Sequence, residues 1–322
     1  DAAVLETARG GVLREGLAFD RCDVAVVTNV GSGDHLGLNY ITTVQDLAVL
    51  KRVIVQNVST TGTAVLNATD PTVAAMAGKC RGSVTFFAVD KFHPVMATHR
   101  AQGQAVVYVE NGQIVASKGD LHQTIALANI PITMGGLIPF QVENVMASVA
   151  AAWALGLDWN TIRDGLAGFS NDTDNAQGRF NLFTFRGATV IADYGHNPDA
   201  MIALVQAVQA MPAKRRLVVI SGAGDRRDQD IRQQTEILGD AFDEVILYED
   251  QCQRGRQDGE VIALLRQGLA NARRTTQSCE IKGEFLAIDT AMDKLTAGDL
   301  CLILVDQVEE AMAHIAARVE KG

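Results

Sequence analysis

Polar residues able to bind a metal or a phosphate follow two apolar runs near the start of the sequence. Glu6 comes directly after Ala2–Leu5, and Asp34 and His35 lie in a glycine-rich loop after Val24–Asn29. In an open parallel sheet, ligands bind beyond the carboxyl ends of the strands. A lone histidine is usually structural, but Asp34-His35 in a glycine-rich loop at a strand end favours a metal or phosphate site. Glu6, taken alone, is explained better as an acid at a helix N-terminus, where the helix dipole stabilises it.

A lysine interrupts an apolar helical stretch further along the chain. Lys51 lies between Leu47–Leu50 and Val53–Val55. Its ammonium group must either pair with an anion or extend along the apolar surface to reach water. A solvated pair of Lys51 and Arg52 is the plain alternative, and the spacing does not exclude it.

A second group of polar residues separates a predicted strand from a predicted helix. Asp193, His196 and Asn197 precede Pro198, and proline is favoured at the first position of a helix. Because the N–H groups of a helix N-terminus bind anions, that terminus is aimed at whatever Asp193 and His196 contact. Arg179 lies shortly before the same strand.

Charged residues and glycines follow the next two predicted strands. The charged residues are Asp225, Arg226, Glu249, Asp250, Arg254 and Arg256. Alternating acids and arginines can form a solvated ion-pair network. Charges spaced by glycine at adjacent strand ends also suit a zwitterionic substrate, so both interpretations stay open.

The elements that must position these residues predict an α/β protein with two domains, at residues 1–175 and 176–322. In the first domain, apolar runs alternate with a helix at about Val44–Gln56, which favours a mostly parallel sheet. Strand-like segments on both sides of Asn111-Gly112 predict an antiparallel flank to that sheet. Two helices follow at about Gln141–Leu155 and Trp159–Leu166.

The second domain is predicted to be a Rossmann-like unit of alternating strands and helices. Strands are expected at Ala188–Ala192, Arg216–Ser221, Glu244–Tyr248 and Leu300–Val305, and helices at Pro198–Ala210, Asp230–Leu238 and Gly259–Ala270. The polar stretch 170–177 is the best candidate for a linker between the domains.

Composition narrows the classes of function. Of the 322 residues, 48% are hydrophobic, which supports a folded core. The 38 acidic residues outnumber 28 basic ones and give a net charge of −10, so no nucleic-acid partner is expected. No apolar run reaches the roughly 20 residues of a membrane span, so a soluble protein is expected. The cysteines are expected to be reduced core thiols of a cytoplasmic protein (Cys22, Cys80, Cys252, Cys279 and Cys301).

Taken in chain order, these segments resemble the Mur ligase superfamily of ATP-dependent amide-bond ligases. More narrowly, they are similar to the Mur-ligase-like C-terminal half of the cyanophycin synthetases. The matching segments are Glu6-Thr-Ala-Arg-Gly-Gly11, Asn29 through Gly37, Lys51, Asn67-Ala-Thr-Asp-Pro71, Gly178-Arg-Phe-Asn181, Asp193-Tyr-Gly-His-Asn-Pro198, Gly222-Ala-Gly-Asp-Arg226 and Arg254-Gly-Arg256. The resemblance implies that ATP phosphorylates a carboxylate and that an amino acid attacks the resulting acyl phosphate.

The resemblance also implies roles for single residues. Glu6 and His35 would hold Mg²⁺, and Lys51 would be carbamylated by CO₂, so that a cation becomes an anion supporting the metal. The residues implied for ATP are Asn144 near adenine, Arg179 near the γ-phosphate, Asp193 at the ribose, and His196 and Asn197 beside it.

For the amino acid, the resemblance implies that L-arginine is added to the side-chain carboxylate of aspartate in a cyanophycin primer. The loops carrying Asp225, Arg226, Arg254 and Arg256 would bind it. Because a guanidinium group pairs with carboxylates, Asp225, Glu249 and Asp250 are candidates to contact its side chain. An ATP-grasp half of the same polypeptide and a homo-oligomer are the expected partners.

The sequence departs from the family pattern in its phosphate-binding loop. No Gly-Lys-Ser or Gly-Lys-Thr of a Walker A motif occurs, and in the family this loop precedes the segment that matches Glu6. We therefore expect that residue 1 is not a natural beginning, and that the chain as given does not hydrolyse ATP competently.

Two alternatives to the arginine-adding ligase remain. One is a catalytically degenerate module kept for assembly or polymer binding, although an inactive site has no need for Glu6, His35, Lys51, Arg179 and Asp193 together. The other is a peptidoglycan-precursor or folylpolyglutamate-type ligase with a different substrate.

Overall fold

The computed structural model describes residues 2–31, 36, 40–172, 176–249 and 253–322. Contacts divide the chain into two compact units, residues 1–169 and 170–322. In its described part, each unit contains one six-stranded sheet flanked by helices. The predicted α/β fold class is confirmed. No helix in the described ranges combines the length and the apolarity needed to cross a bilayer.

The sheet of the first unit follows chain order from one edge to the other. Its strands are β1 (Cys22–Val27), β2 (Val58–Asn67), β3 (Ser83–Phe87), β4 (Val106–Glu110), β5 (Gln113–Lys118) and β6 (Leu121–Ala126). Strands β1 to β4 are parallel, and β5 and β6 add an antiparallel flank. Asn111 and Gly112, with φ of 50° and 71°, form the predicted turn between β4 and β5. The antiparallel flank is thus confirmed.

Helices cover both faces of this sheet. They are α1 (Arg9–Glu15), α2 (Val44–Lys51), α3 (Val53–Gln56), α4 (Pro71–Ala74), α5 (Pro94–Ala101), α6 (Pro139–Ala154) and α7 (Trp159–Ala167), with 3-10 turns at Ala75–Lys79, Leu127–Asn129 and Pro131–Thr133. Neighbouring residues of β2 point to opposite faces: Leu66 packs with α2 and α3, and Val65 packs with α6. The single helix predicted at Val44–Gln56 is divided at Arg52.

The predicted strand at Ala2–Leu5 is wrong. These residues form neither helix nor strand, and Val4 is 93% exposed. A strand is stable only when its backbone groups pair with a neighbour. Within the described residues, β1 pairs with β2 alone, so the apolar run has no strand beside it.

The sheet of the second unit has the order β11-β10-β9-β12-β8-β7. Its strands are β7 (Asn181–Phe185), β8 (Ala188–Asp193), β9 (Arg216–Ile220), β10 (Glu244–Glu249), β11 (Gln277–Lys282) and β12 (Leu300–Leu304). All pairs are parallel except the β7–β8 hairpin. The helices are α8 (Pro198–Ala210), α9 (Asp228–Gly239), α10 (Glu260–Leu269), α11 (Glu284–Asp293) and α12 (Val308–Lys321).

These helices lie on two faces of the second sheet. Ile288 of α11 and Met312 of α12 share a core with Val190, Leu217 and Ile303. Helix α9 contacts both α8 and α10, and the buried residues of these three helices are absent from that core, so they pack on the opposite face. Strand β9 therefore leads into a helix on one face, and the adjacent β12 leads into a helix on the other. In open α/β sheets, ligands bind in the crevice at such a switch point.

The cysteines match their predicted state in part. The described cysteines are free thiols, and Cys301 in β12 is fully buried, which raises its pKa to about 12. Cys22, Cys80 and Cys279 are only half-buried, so they are not core residues in the strict sense. Cys252 lies outside the described residues.

Candidate functional site

Four side chains from different loops meet at the carboxyl ends of β8, β9, β10 and β12. We call Tyr194, Asp225, Arg254 and Asp306 the edge cluster. Arg254 is its centre: Nη2 lies 2.7 Å from Oδ1 of Asp306, and Nη1 lies 3.6 Å from Oδ1 of Asp225. The side chain of Tyr194 lies near the same guanidinium and interacts with it electrostatically. Burial alone lowers the pKa of Arg254, but Asp306, Tyr194 and Asp225 outweigh it, and the net pKa is raised.

The backbone at Arg254 is unusual. Arg254 has a φ of 47° and Gly255 a φ of 94°, so two successive residues adopt left-handed conformations. For a residue with a Cβ this conformation is uncommon, and it persists where surrounding contacts fix it. From the loop after β10, the Arg254 side chain reaches Asp306 in the loop after β12.

The carboxylates of the edge cluster remain accessible to solvent. The Asp225 side chain is 36% exposed and that of Asp306 is 26% exposed. With one guanidinium, the three charged members carry one net negative charge. The cluster can therefore offer Arg254 to an anionic group and a carboxylate to a cationic group of the same ligand.

A buried glutamate fixes the loop that carries Asp306. Glu284, at the start of α11, is 1% exposed. Its Oε1 accepts the backbone N–H of Asp306 at 2.8 Å, and its Oε2 accepts that of Gln307 at 3.1 Å. Charge-assisted bonds of this kind hold the backbone of Asp306 firmly in place.

The other predicted residues of the amino-acid site make contacts within the protein. Glu249 is 8% exposed, and its Oε1 accepts the backbone N–H of Gly259 at 2.5 Å, at the start of α10. Arg226 is 6% exposed, and its carbonyl accepts a bond from Arg256. The Arg256 guanidinium donates to two backbone carbonyls and two carboxylates. Asp250 lies outside the described residues.

The residues that follow β8 form a hydrogen-bonded turn. Asp193 is buried, and its Oδ1 and Oδ2 accept the backbone N–H groups of Gly195 at 2.6 Å and Phe180 at 2.8 Å. Burial raises the pKa of Asp193 to about 6, against the opposing effect of these bonds and of Arg179. The geometry therefore shows Asp193 joining this turn to the segment before β7.

Two further residues of this turn were predicted to bind ATP. The Asn197 side chain accepts the backbone N–H of Ala200 at 2.8 Å and caps α8. The ring of His196 packs 4.6 Å from that of Tyr194, and its Nδ1 lies 2.8 Å from the Tyr194 carbonyl. Pro198 occupies the first turn of α8, as predicted.

Arg179 and Asn144 both lie at the surface of their units. The Arg179 guanidinium stacks 5.6 Å from the centre of the Tyr194 ring and is exposed. Asn144 is exposed on α6 and donates to Gln141 at 3.2 Å. Both side chains can therefore be reached by a ligand, which fits the predicted nucleotide contacts without testing them.

The predicted metal ligands of the first unit lie on separate segments, and one of them is outside the described residues. Glu6 is exposed in the segment before α1, Lys51 is the last residue of α2, and His35 lies outside the described residues. Helix α1 contacts α2. Among the described residues, no group of three or more His, Cys, Asp and Glu could hold a metal ion. Because His35 lies outside the described residues, the Mg²⁺ site implied by the resemblance stays a prediction.

Sequence reasoning missed Asp306 and Glu284. Asp306 directly follows the apolar strand predicted at Leu300–Val305, so the rule applied to other strand ends would have found it. Glu284 carries no such signal, because it is the first residue of a helix and its partners Asp306 and Gln307 are distant in sequence.

Comparison with known proteins finds family matches in both units of the chain. The model for the Mur ligase middle domain matches residues 1–152, and that for the Mur ligase, glutamate ligase domain, matches residues 178–304. The cyanophycin synthetase of Geminocystis herdmanii is 40% identical over 317 residues, covering 98% of this chain and 36% of that protein. That of Synechocystis sp. is 40% identical over 324 residues, covering 100% and 37%.

The chain thus spans little more than a third of the length of these curated relatives. Among solved structures, E. coli FolC in complex with DHPP and ADP superposes with a TM-score of 0.66 at 23% identity, covering 92% of this chain and 62% of that one. That likeness concerns the fold. Both domain models match in the expected order along the chain, and this chain belongs to the Mur ligase family.

Proposed function

We propose that this chain is the amino-acid-adding part of an ATP-dependent amide-bond ligase that joins L-arginine to the side-chain carboxylate of aspartate in cyanophycin. The relatives support an ATP-dependent amide ligase, since the chain is 36–40% identical to cyanophycin synthetases over nearly its whole length. The single observation that carries the choice of substrate is the edge cluster, in which Arg254 lies between Asp225 and Asp306.

The charges of the edge cluster complement those of L-arginine. Its α-carboxylate is the natural partner of the Arg254 guanidinium, because both are planar and can form two parallel hydrogen bonds. Its side-chain guanidinium is the natural partner of Asp306, with Asp225 beside it. This arrangement leaves the α-amine of the substrate available for the reaction.

The proposed reaction exchanges a C–O bond for a C–N bond. The unprotonated α-amine of arginine attacks the activated carbonyl carbon and a C–N bond forms. The C–O bond to phosphate then breaks, inorganic phosphate leaves with the bonding electron pair, and the amide nitrogen loses one proton to the departing phosphate or to water. ATP supplies that activation by phosphorylating the aspartate carboxylate, and Mg²⁺ bound by the residues that the resemblance implies would balance the phosphate charge. By resemblance, Asn144, Arg179, Asp193, His196 and Asn197 belong to the ATP site.

The roles proposed for residues that bind the metal rest on the resemblance alone. Glu6, His35 and a carbamylated Lys51 would support Mg²⁺. We expect Lys51→Ala to abolish arginine incorporation while leaving the fold intact, with Arg52→Ala as the neighbouring control. Arginine incorporation at the normal rate by folded Lys51→Ala would remove this lysine from the proposal.

The longer relatives are consistent with a fused partner domain. We accordingly propose an ATP-grasp half in the same polypeptide. By resemblance to the family we also propose assembly as a homo-oligomer, and the reduced cysteines favour a cytoplasmic location.

Phosphate release tests the proposed function. The gene product that contains these 322 residues is supplied with ATP, Mg²⁺ and an aspartate-terminated β-Asp-Arg primer, together with arginine, lysine, ornithine or no amino acid. We expect phosphate release to depend on arginine and to be much slower with lysine or ornithine. Equal release with every amino acid would contradict the choice of substrate, and no release from folded protein would favour a degenerate module.

A further inference from the structure

The loops that follow β9 and β10 touch through their backbones. A Cβ atom built on Gly224 would lie 2.1 Å from the carbonyl oxygen of Gln253, closer than any side chain allows. Gly224 is therefore required by the close approach of the two loops. Its neighbour Asp225 belongs to the edge cluster, so this contact lies directly beside the proposed amino-acid site.

Arg256, in the loop after β10, forms several hydrogen bonds to the loop after β9. Nε of Arg256 donates to the Gly224 carbonyl at 2.7 Å, and Nη2 donates to the Arg226 carbonyl at 2.7 Å. Nη2 also donates to Asp228 at 2.8 Å, and Nη1 donates to Glu260 at 2.5 Å. The carbonyls of Gly224 and Arg226 belong to the residues on either side of Asp225, so one guanidinium fixes the backbone on both sides of that carboxylate.

The Arg256 guanidinium is directed at the protein and little exposed. Its side chain is 15% exposed, compared with 31% for Arg254. Its three nitrogen atoms reach two carbonyls and two carboxylates in a planar fork, which a lysine ammonium cannot reproduce. The two arginines of Arg254-Gly-Arg256 therefore differ in their contacts, although they lie two residues apart.

We infer that Arg256 is a positioning residue, which holds Asp225 beside Arg254 so that the carboxylate is placed in advance for the amino-acid substrate. This inference rests on the proposed function for its substrate, but the positioning itself is a property of the loop. Placing a binding group in advance lowers the cost of ordering it when the ligand binds. Loss of the guanidinium should thus weaken arginine binding more than ATP binding.

The test compares Arg256→Lys and Arg256→Ala with the same two changes at Arg266. Arg266 lies on α10, and its guanidinium pairs with Glu280 at 2.5 and 2.8 Å while 60% of the side chain is exposed. It offers the same chemistry away from the edge cluster. The KM for arginine and the KM for ATP are measured for each variant with the full gene product.

Both Arg256 variants are expected to raise the KM for arginine by about 10-fold or more, since small displacements of a binding group have large effects. The KM for ATP should stay within about twofold, and both Arg266 variants should match the unaltered protein. An unchanged KM for arginine in folded Arg256→Lys and Arg256→Ala would overturn the inference, as would equal increases for arginine and ATP.

Hydrogen exchange separates this inference from the proposed function. Backbone amides of residues 222–228 should exchange faster in Arg256→Lys than in the unaltered protein or in Arg266→Lys, whether or not the protein ligates arginine. If arginine-dependent phosphate release is absent but exchange is faster, the proposed function fails while the positioning stands. Unchanged exchange in this loop would overturn the positioning itself.

Discussion

Arginine and acidic side chains meet at both ends of the strands of the second sheet, but the two groups differ in their access to solvent. At the amino ends of the strands, Arg215 pairs with Asp299 at 2.9 Å and Glu244 at 3.7 Å, and Lys294 pairs with Glu244. We call these four residues the amino-edge network. Its acidic side chains are each 4% exposed, compared with 36% and 26% for Asp225 and Asp306 in the edge cluster.

The difference separates a stabilising network from a ligand site. A buried carboxylate that loses its partner becomes an uncompensated charge, so the amino-edge network makes the fold sensitive to change. An exposed carboxylate can exchange its partner for a ligand at little cost. The same residue types therefore serve stability at one edge of the sheet and, in our proposal, recognition at the other.

The largest effect is expected from Arg254→Ala in the edge cluster. This change removes the partner of both exposed carboxylates and the proposed partner of the substrate carboxylate. We expect kcat/KM for arginine to fall by about 10²- to 10³-fold, as for other close charge pairs. Steady-state phosphate release measures this, and Arg254→Lys, which keeps the charge but not the fork, should recover part of the loss. A fall of less than twofold in Arg254→Ala would contradict the assignment.

The pH dependence of stability should have opposite signs for two carboxylates of this sheet. The folded state raises the pKa of Asp193 from 3.8 to about 6, so its contribution to stability falls as pH rises across that interval and is constant above it. The change is at most about 3 kcal/mol. Burial alone raises the pKa of Asp299, but its bonds to Thr296 and Arg215 outweigh burial and lower it below 3.8. Its contribution is present above 3.8 and is lost as pH falls through the lowered value.

Asn substitutions check these signs. The stability difference between the unaltered protein and Asp193→Asn should shrink from pH 4 to pH 6, and the difference for Asp299→Asn should grow as pH rises from about 3 to 5. Both tryptophans, Trp153 and Trp159, lie in the first unit, so hydrogen exchange in β8 and β12 should report unfolding of the second unit. Equal signs for the two variants would contradict the account.

At neutral pH, Asp299→Ala should reduce stability without affecting recognition. Its carboxylate accepts bonds from Arg215, from the Thr296 backbone and from the Thr296 hydroxyl. We expect a loss of about 2 kcal/mol, or roughly 4–8 °C in the melting temperature of the second unit. The KM for arginine should not change. An increase in that KM as large as for the Arg254 variant would erase the distinction between the two edges.

The smallest effect is expected from Arg273→Ala. Arg273 pairs with Asp240, but its side chain is 83% exposed. Exposed ion pairs contribute little to stability, so the melting temperature should change by less than about 4 °C. Differential scanning calorimetry measures the shift. A loss comparable to that of Asp299→Ala would show that burial is the wrong criterion for separating the two edges.

The sequence predicts elements with strong local signals well. Helix α8 has the expected bounds, Pro198–Ala210, because Asn197 caps it and proline starts it. Strand β11 (Gln277–Lys282) was missed: it is an edge strand with polar residues and no apolar run. The strand predicted at Ala2–Leu5 is the opposite error. An apolar run predicts a strand there, but such a run does not show whether a neighbouring strand is present to pair with it.

The sequence predicts which strand ends carry the candidate site, but it does not predict which side chains contact one another there. The strand-end rule led to Asp225 and Arg254, because the carboxyl ends of parallel strands share one edge. The rule does not distinguish Arg254 from Arg256, since the left-handed backbone at Arg254 and Gly255 decides where each side chain points. The bond from Arg254 to Asp306 joins residues 52 positions apart, and only the folded sheet brings them together.

The central claim is that the edge cluster recognises the cationic side chain of arginine, and a comparison of arginine with citrulline tests it most directly. Citrulline has nearly the same shape but no charge. We predict that the unaltered full gene product uses arginine at least about 100-fold more efficiently than citrulline, as expected for a charge pair, and that Asp306→Asn reduces this ratio to below about 10-fold. A ratio that stays unchanged in folded Asp306→Asn would contradict the claim.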